Sequence, residues 1–317
     1  MPLSFRHLLD ASHISKEDAL SILALAKEYH DGSLKGKKEW DVCKGDILAT
    51  LFFEPSTRTR FSFETAMLRL GGQIITLENA DTSSIKKGET LADMARIMSG
   101  YADMIVMRHP KEHSVASFSE HASVPVINAG DGANQHPTQA LVDLYTIYRE
   151  KGRLENLTIG FMGDLKYSRT VFCLLTVLSH YQNNFIFIAP PSLRISNERK
   201  NIMGKHYSNI SEVESLAEVI GELDILYVTR VQGERFATKE EYDAVKDSYS
   251  LSRKDLAKAK KDVIIMHPLP RVNEIRPEMD DLPNAKYFEQ AANGVFARMA
   301  LLSLINKNGK KILSAEL

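Results

Sequence analysis

Short, continuously apolar runs recur along this chain, separated by longer stretches with helical spacing. "ILATLFF" (47–53), "QIITL" (73–77), "DMIVM" (103–107) and "VPVIN" (124–128) form one group. "LTIGFM" (157–162), "FIFIA" (185–189), "DILYV" (224–228) and "DVIIMH" (262–267) form a second. Runs this short and this apolar predict strands buried on both faces, as in a parallel sheet. Between them, Phe63, Met67 and Leu70 fall at i, i+4 and i+7, and Gly71-Gly72 supplies a C-terminal stop. Leu91, Met94, Ala95 and Met98 make a second stripe ending at Gly100. Leu141, Leu144, Tyr145 and Tyr148 make a third, opened by His136-Pro137 and ended near Gly152. Stripes of this kind pack on sheets; they carry no chemistry of their own.

Strand–helix alternation predicts an α/β fold of two doubly wound domains, each with a central parallel sheet flanked by helices. Four strands, a long helix and four more strands put the junction near 138–152. The expected bounds are 1–149 and 150–289, with the helical stretch 290–317, containing "GVFARMALLSLINK", packing back on the first domain. A length of 317 residues agrees with two domains.

The polar clusters are informative by position. Ser56-Thr57-Arg58-Thr59 follows the first run, Arg108-His109-Pro110 the third, and "NAGDGANQHPTQ" (128–139) the fourth. Gly163-Asp164, Thr229-Arg230-Val231-Gln232 and "HPLPR" (267–271) follow runs of the second group. Open parallel sheets bind ligands outside the carboxyl ends of their strands, near the point where strand order reverses. Any one cluster alone reads as a solvated loop. Six at one edge, shared by two domains, predict an active site in a cleft between them.

Composition narrows the ligand. The chain is 44% hydrophobic and 26% charged, with a formal net charge of −1. That balance offers nothing general to nucleic acid or to an anionic membrane. No apolar run approaches the roughly 18 residues of a membrane span. The two cysteines, Cys43 and Cys173, provide no disulfide framework and fit a reducing cytosol. The expected location is cytoplasmic.

In "FFEPSTRTRFSFETA" (52–66) a strand gives way to a helix whose first turn is residues 56–59. Free N–H groups and the dipole of such a turn attract anions. The Ser and Thr hydroxyls add donors, and Arg58 adds a planar fork matched to phosphate oxygens. This is a phosphate cradle without a glycine-rich loop, for neither G-x-x-x-x-G-K-[ST] nor G-x-G-x-x-G occurs. No Cys/His spacing suits zinc, and H-E-x-x-H and G-x-S-x-G are also absent. No metal site is expected.

Taken together, "FFEPSTRTRFSFETA", "KKGETLAD" (86–93), "VMRHP" (106–110), "NAGDGANQHPTQALVDLYTI" (128–147), "GDLKYSRT" (163–170), "YVTRVQGER" (227–235) and "MHPLPRVNEI" (266–275) closely resemble the catalytic chain of the aspartate carbamoyltransferase family. The matches run in order over nearly the whole chain. S-T-R-T-R alone marks only the wider carbamoyltransferase superfamily.

The resemblance implies transfer of the carbamoyl group of carbamoyl phosphate to the amine of L-aspartate. The products are N-carbamoyl-L-aspartate and phosphate, an early step of pyrimidine (UMP) biosynthesis that uses no metal or organic cofactor. By the same resemblance, Ser56, Thr57, Arg58, Thr59 and Arg108 hold the phosphate. Thr59, Arg108 and His136 polarise the carbamoyl oxygen, with Gln139 beside the carbamoyl amide. Arg169, Arg230 and Gln232 hold the aspartate carboxylates. Backbone groups of Pro268 and Leu269 line carbamoyl phosphate and orient the amine, with Leu269 also lining aspartate. Ser83 and Lys87 reach in from the adjacent subunit of a homotrimer, Lys87 serving both substrates.

Departures from the family pattern are few. Ser168 replaces the glycine usual in "KYGRT", and Gly233 stands where lysine is common in "VQKER". "HPKEHSVAS" (109–117) replaces the "HPxEGAAR" of relatives that bind regulatory chains, so the sequence leaves assembly with such chains undecided. Two alternatives stand beside this reading. Ornithine carbamoyltransferases share the cradle but carry "HCLP" and "SMG" elements, where this chain has His267-Pro268-Leu269-Pro270 and Arg230-Val231-Gln232. A non-catalytic phosphate or nucleotide sensor on the same fold would show a degenerate site, yet no expected ligand is missing.

Overall fold

The computed structural model describes residues 2–78, 88–197, 199–200, 209–232, 236, 238–243, 245 and 249–315, with side chains at all of these positions except 241 and 307–315. The chain forms two compact units, Met1–Tyr145 with Ala292–Leu317, and Thr146–Ala291.

The first unit contains α1 (Lys16–Leu34), β1 (Ile47–Phe52), α2 (Thr57–Arg69), β2 (Gln73–Leu77), α3 (Leu91–Ser99), β3 (Met104–His109), α4 (Ser114–Ser119) and β4 (Val126–Asp131). Helix α5 (Pro137–Lys151) begins here and runs into the second unit. The sheet is parallel, in the order β2-β1-β3-β4. Its β1 and β3 are buried almost throughout because helices cover both faces. Ala49, Leu51, Ile105 and Met107 meet Met94, Ala95, Val115 and Phe118 of α3 and α4 in one core.

The second unit contains β5 (Thr158–Met162), α6 (Arg169–Leu178), β6 (Asn184–Ile188), β7 (Ile210–Val213), β8 (Ile225–Val228) and β9 (Ile264–Met266). Its parallel sheet has the order β7-β6-β5-β8-β9. A last helix, Tyr287–Ala315, leads back to the first unit. In each sheet the order reverses once. β1 lies between β2 and β3, and β5 lies between β6 and β8. The pairs β1/β3 and β5/β8 are therefore the topological switch points, where parallel sheets leave a crevice at their carboxyl ends.

The doubly wound α/β architecture is the one expected, with four differences in detail. β2 is not buried on both faces. It is the outermost strand, largely exposed, and its apolar letters reflect strand propensity more than burial. A fifth strand, β7, closes the opposite edge of the second sheet; its half-exposed "ISEV" lacks the apolar run that marks an inner strand. Finally, α1 precedes the first sheet, started by a capping box in which Ser15 and Asp18 exchange side-chain and backbone hydrogen bonds. β3 and β4 also run further than their apolar cores, so that Arg108 belongs to a strand.

Gly163 ends β5 with φ +114°, and a Cβ there would lie 2.2 Å from the carbonyl oxygen of Thr229 beyond β8. The two switch-point strands therefore approach too closely for any side chain. Gly163→Ala is expected to cost about 2–4 kcal/mol, from backbone strain and steric displacement together. Urea unfolding checks this; a loss below about 1 kcal/mol would mean that the loop simply yields.

Candidate functional site

The opening turn of α2 is an anion site by construction. Ser56 is the N-cap residue, and among the described residues its side chain makes no capping bond, so the first-turn N–H groups are not satisfied by it. Thr59 is buried, and Ser62 Oγ donates to its carbonyl at 2.9 Å. The two arginines of the motif divide in role. Arg60 is committed to carboxylates, pairing with Glu78 and lying 3.7 Å from Glu64. Arg58 has no carboxylate partner among the described residues. Desolvation lowers its pKa, a shift that a bound anion would oppose.

Arg108 stands beside this turn because β3 pairs with β1, placing Arg108 opposite Phe52. It is 8% exposed, and its guanidinium is held from two sides. Nη1 donates to Ala129 O at 3.2 Å, and Nη2 lies 3.1 Å from Glu54. The backbone closes the same corner, with Phe53 N donating to Arg108 O at 2.9 Å.

The loop after β4 delivers His136 and Gln139, and a buried carboxylate shapes it. Asp131 accepts from Asn128 Nδ2 at 3.0 Å, His113 N at 2.9 Å, Asn134 Nδ2 at 2.9 Å and Gln135 N at 3.0 Å. Gly132 adopts φ +56° beneath Pro110, where a Cβ would come within 2.7 Å of that residue's carbonyl oxygen. α5 then starts at Pro137, placing buried His136 at its N-terminal end and half-buried Gln139 on its first turn. Gln139 N donates to His136 O at 3.0 Å.

The second unit repeats the device. Asp164, fully buried just after β5, accepts from Tyr167 N at 3.0 Å and Gln232 N at 3.2 Å. Burial raises its pKa, and the backbone hydrogen bonds oppose that shift. The loop after β8, carrying half-buried Arg230 and Gln232, is thereby tied to the end of β5. Arg169 is the first residue of α6. Ser168, in the place of the family's glycine, has φ −77° at the N-cap, so no glycine is needed there. His113, where relatives carry glycine, does take a left-handed conformation at φ 60°, and its N–H is one of the four donors to Asp131.

Pro268 and Leu269 lie in a loop fixed by His267 and Glu274. Leu269 has φ 51° and precedes a cis peptide bond to Pro270. Leu269 N donates to His267 Nδ1 at 2.8 Å, so the ring's proton sits on Nε2, which meets Glu274 Oε1 at 2.7 Å. The other oxygen of Glu274 accepts from Val272 N at 3.0 Å and Asn273 N at 3.1 Å. Burial holds the His267 pKa below the usual histidine value, leaving the imidazole neutral. Burial alone would raise Glu274; the bonds from His267 and Val272 outweigh it and keep the carboxyl below the usual range.

The structure brings Ser56, Thr57, Arg58, Thr59, Arg108, His136 and Gln139 to the carboxyl edge of the first sheet. Arg169, Arg230, Gln232, Pro268 and Leu269 stand at the carboxyl edge of the second. Ser83, Lys87 and Gly233 lie outside the described residues. The loop-fixing roles of Asp131, His267 and Glu274 are absent from the motif reading. For Asp131 and His267 the signal was a charged or imidazole side chain beside glycine or proline at a strand end; Glu274, between Asn273 and Ile275, carries no such signal. Among the described residues no group of three or more His, Cys, Asp or Glu is placed to hold a metal ion.

Comparison with known proteins shows the family. Residues 6–149 match the family model for the aspartate/ornithine carbamoyltransferase carbamoyl-P binding domain, and residues 155–305 match that for the Asp/Orn binding domain. The chain belongs to the aspartate/ornithine carbamoyltransferase family. It is 50% identical over 304 residues to the aspartate carbamoyltransferase catalytic subunit of Clostridium novyi, covering 96% of this chain and 98% of that one. With the corresponding subunit of Alkaliphilus metalliredigens it shares 49% over 306 residues, covering 96% and 97%. Its fold is similar to the catalytic subunit of M. jannaschii aspartate transcarbamoylase, with a TM-score of 0.89, 48% identity, and 96% and 99% coverage. The Trypanosoma cruzi aspartate transcarbamoylase, solved in complex with N-(phosphonacetyl)-L-aspartic acid, also gives a TM-score of 0.89, at 36% identity and 95% and 96% coverage.

The His267–Glu274 pair sets an acid limit on stability. His267 has a folded pKa below its unfolded value, so from about pH 6.5 downward the unfolded chain binds a proton that the folded chain refuses. Its contribution is complete above about 6.5 and declines as pH falls, by at most about 1.4 kcal/mol per pH unit. Glu274, also depressed, adds a loss of the same sign below the ordinary glutamate range. Urea unfolding at pH 7.5 and 5.5 should show a smaller acid loss in His267→Gln than in the parent. Equal losses would exclude His267 as a source.

Proposed function

We propose that this chain is an aspartate carbamoyltransferase, transferring the carbamoyl group of carbamoyl phosphate to the amine of L-aspartate. The observation that carries the reading is the division of cationic ligands between two switch-point edges. One edge has a helix N-terminus with Arg58 and Arg108, suited to phosphate. The other has Arg169 and Arg230, suited to a dicarboxylate. An arginine facing the second substrate would repel the ammonium of ornithine. Relatives at about half identity over nearly their whole length carry the same name.

In the reaction we assign, the amine nitrogen attacks the carbamoyl carbon. Thr59, Arg108 and His136 stabilise the oxygen as it gains charge, with Ser56, Thr57 and Arg58 on the phosphate. The tetrahedral intermediate collapses by breaking its bond to the phosphate oxygen, and the departing phosphate takes the amine proton. Neither a protein nucleophile nor a separate protein base is required. The acceleration comes from holding two mutually repelling anions together and from donors aimed at developing charge. Backbone groups of Pro268 and Leu269 orient the amine, in a loop that the neutral His267 and Glu274 keep in one conformation. The place of action we assign is the cytosol, supported by two free, buried cysteines.

The test is formation of N-carbamoyl-aspartate from carbamoyl phosphate, with ornithine as the competing acceptor. Turnover with aspartate alone is expected; turnover with ornithine alone would move the assignment to the sister reaction. Because the Arg58 contact strengthens as charge reaches the leaving group, Arg58→Ala should lower kcat by about 10²–10³-fold. Near-normal turnover by the folded variant would remove Arg58 from the mechanism.

We further propose a homotrimer in which Ser83 and Lys87 complete the neighbouring subunit's site. Exposed Phe61 and Leu68 on α2 and Ile75 on the outer strand β2 are apolar surface that such an assembly would cover. Arg58→Ala and Lys87→Ala trimers should each be nearly inactive. Dissociating and reassembling them together gives one intact site in every mixed trimer, so equal mixing should restore about a quarter of the sites of the unsubstituted trimer. Mixed trimers as inactive as their parents would contradict a shared site.

A further inference from the structure

Gln139 makes its side-chain bond one helical turn along α5, where Nε2 donates to Asp143 Oδ1 at 2.7 Å. A carboxylate has no proton to give, so the amide's NH₂ must face Asp143 and its carbonyl oxygen must face away. Asp143 is fully buried in an otherwise apolar stretch, Leu141-Val142-Asp143-Leu144. A buried carboxylate needs an opposite charge nearby. Arg298 of the last helix supplies it from a buried position of its own, 4% exposed. Nη1 of Arg298 donates to Gly294 O at 3.2 Å, and the guanidinium lies over the Phe63 ring of α2 at 5.0 Å. Burial lowers the pKa of Arg298 to about 10, and attraction to Asp143 opposes that shift. Gly294 makes the room, since a Cβ there would come within 2.5 Å of Arg298 Nη1. A glycine inside a helix is otherwise unfavourable by roughly 1 kcal/mol relative to alanine.

We propose that Asp143, its charge balanced by Arg298, is a positioning residue that locks the Gln139 amide with its carbonyl outward. The phosphate site then selects an acyl phosphate bearing NH₂ over one bearing CH₃. Carbamoyl phosphate and acetyl phosphate have nearly the same shape and the same phosphate, and they differ in that one group. An amide free to flip would present NH₂ toward NH₂ in half of its orientations and could not discriminate as well. The proposal rests on the carbamoyl-phosphate reading above and adds to it the residue that enforces the choice.

Calorimetric titration of the full chain with carbamoyl phosphate, acetyl phosphate and inorganic phosphate tests this without relying on turnover. In Asp143→Asn, carbamoyl phosphate should bind about 10-fold more weakly, while the other two change less than about twofold. Gln139→Met should lose the same preference, and the double variant should lose no more than either single one. Parallel weakening of all three ligands would show a merely structural role and overturn the proposal. An unchanged preference or additive losses would overturn it equally. Should Asp143→Asn fail to fold because Arg298 is stranded, the charge-balanced Asp143→Asn/Arg298→Met variant is read in its place, with the same expectation. A parent chain that binds carbamoyl and acetyl phosphate equally would sink this proposal alone. One that binds no acyl phosphate would sink the functional reading beneath it.

Discussion

A loop leaving the carboxyl edge of a parallel sheet loses the ladder that satisfied its backbone, and its N–H groups need other acceptors. In this chain three buried carboxylates provide them. Asp131 gathers the turn after β4, Asp164 ties the end of β5 to the segment after β8, and Glu274 with His267 fixes the segment after β9. Each is 2% exposed or less, so each anion depends on its donors as much as the loop depends on the anion. The hydrogen bonds fix segments that have no regular structure. Gln232 is bonded to one of these carboxylates directly, and Leu269 is bonded to Glu274 through His267.

Negative charge inside the loops also organises the positive charge around them. Arg108 is held by Glu54 and Arg60 is occupied by Glu64 and Glu78, while Arg58 has no such partner among the described residues. An arginine already paired is oriented but partly neutralised; one without a carboxylate gains most from an incoming phosphate. The contrast separates two arginines, two positions apart, into one that pairs with carboxylates and one that is available to an anion. The second unit offers Arg169 and Arg230 at its own switch point. The chemistry requires only that two anions be held against their repulsion while charge moves from one oxygen to another.

Much of this was legible in the amino-acid sequence because it rests on local physics. Inner strands announce themselves as apolar runs, since burial on both faces leaves no polar position to alternate. β7 escaped because an edge strand keeps polar side chains, and β2 looked inner because Ile74, Ile75 and Leu77 resemble core residues. The phosphate turn was readable from hydroxyls and guanidinium at a strand-to-helix junction. The work of Asp131 and Glu274 was not, because it depends on which N–H groups tertiary folding brings to them. Asp143 and Arg298 fall between these cases. Each is a charge within an apolar helical stretch, which signals a buried pair, but the sequence does not say that the pair leads to Gln139.

In the function proposed above, the phosphate ligands of the first unit and the carboxylate ligands of the second serve a single transfer. Titration with N-(phosphonacetyl)-L-aspartate, which joins both anions in one molecule, tests it most directly. The account predicts one molecule bound per chain, at least about 100-fold more tightly than inorganic phosphate or aspartate alone, because the entropy of assembling two ligands is already spent. The corresponding ornithine conjugate should bind no better than phosphate. Tight binding of the ornithine conjugate with none of the aspartate one, or binding of neither, would contradict the account.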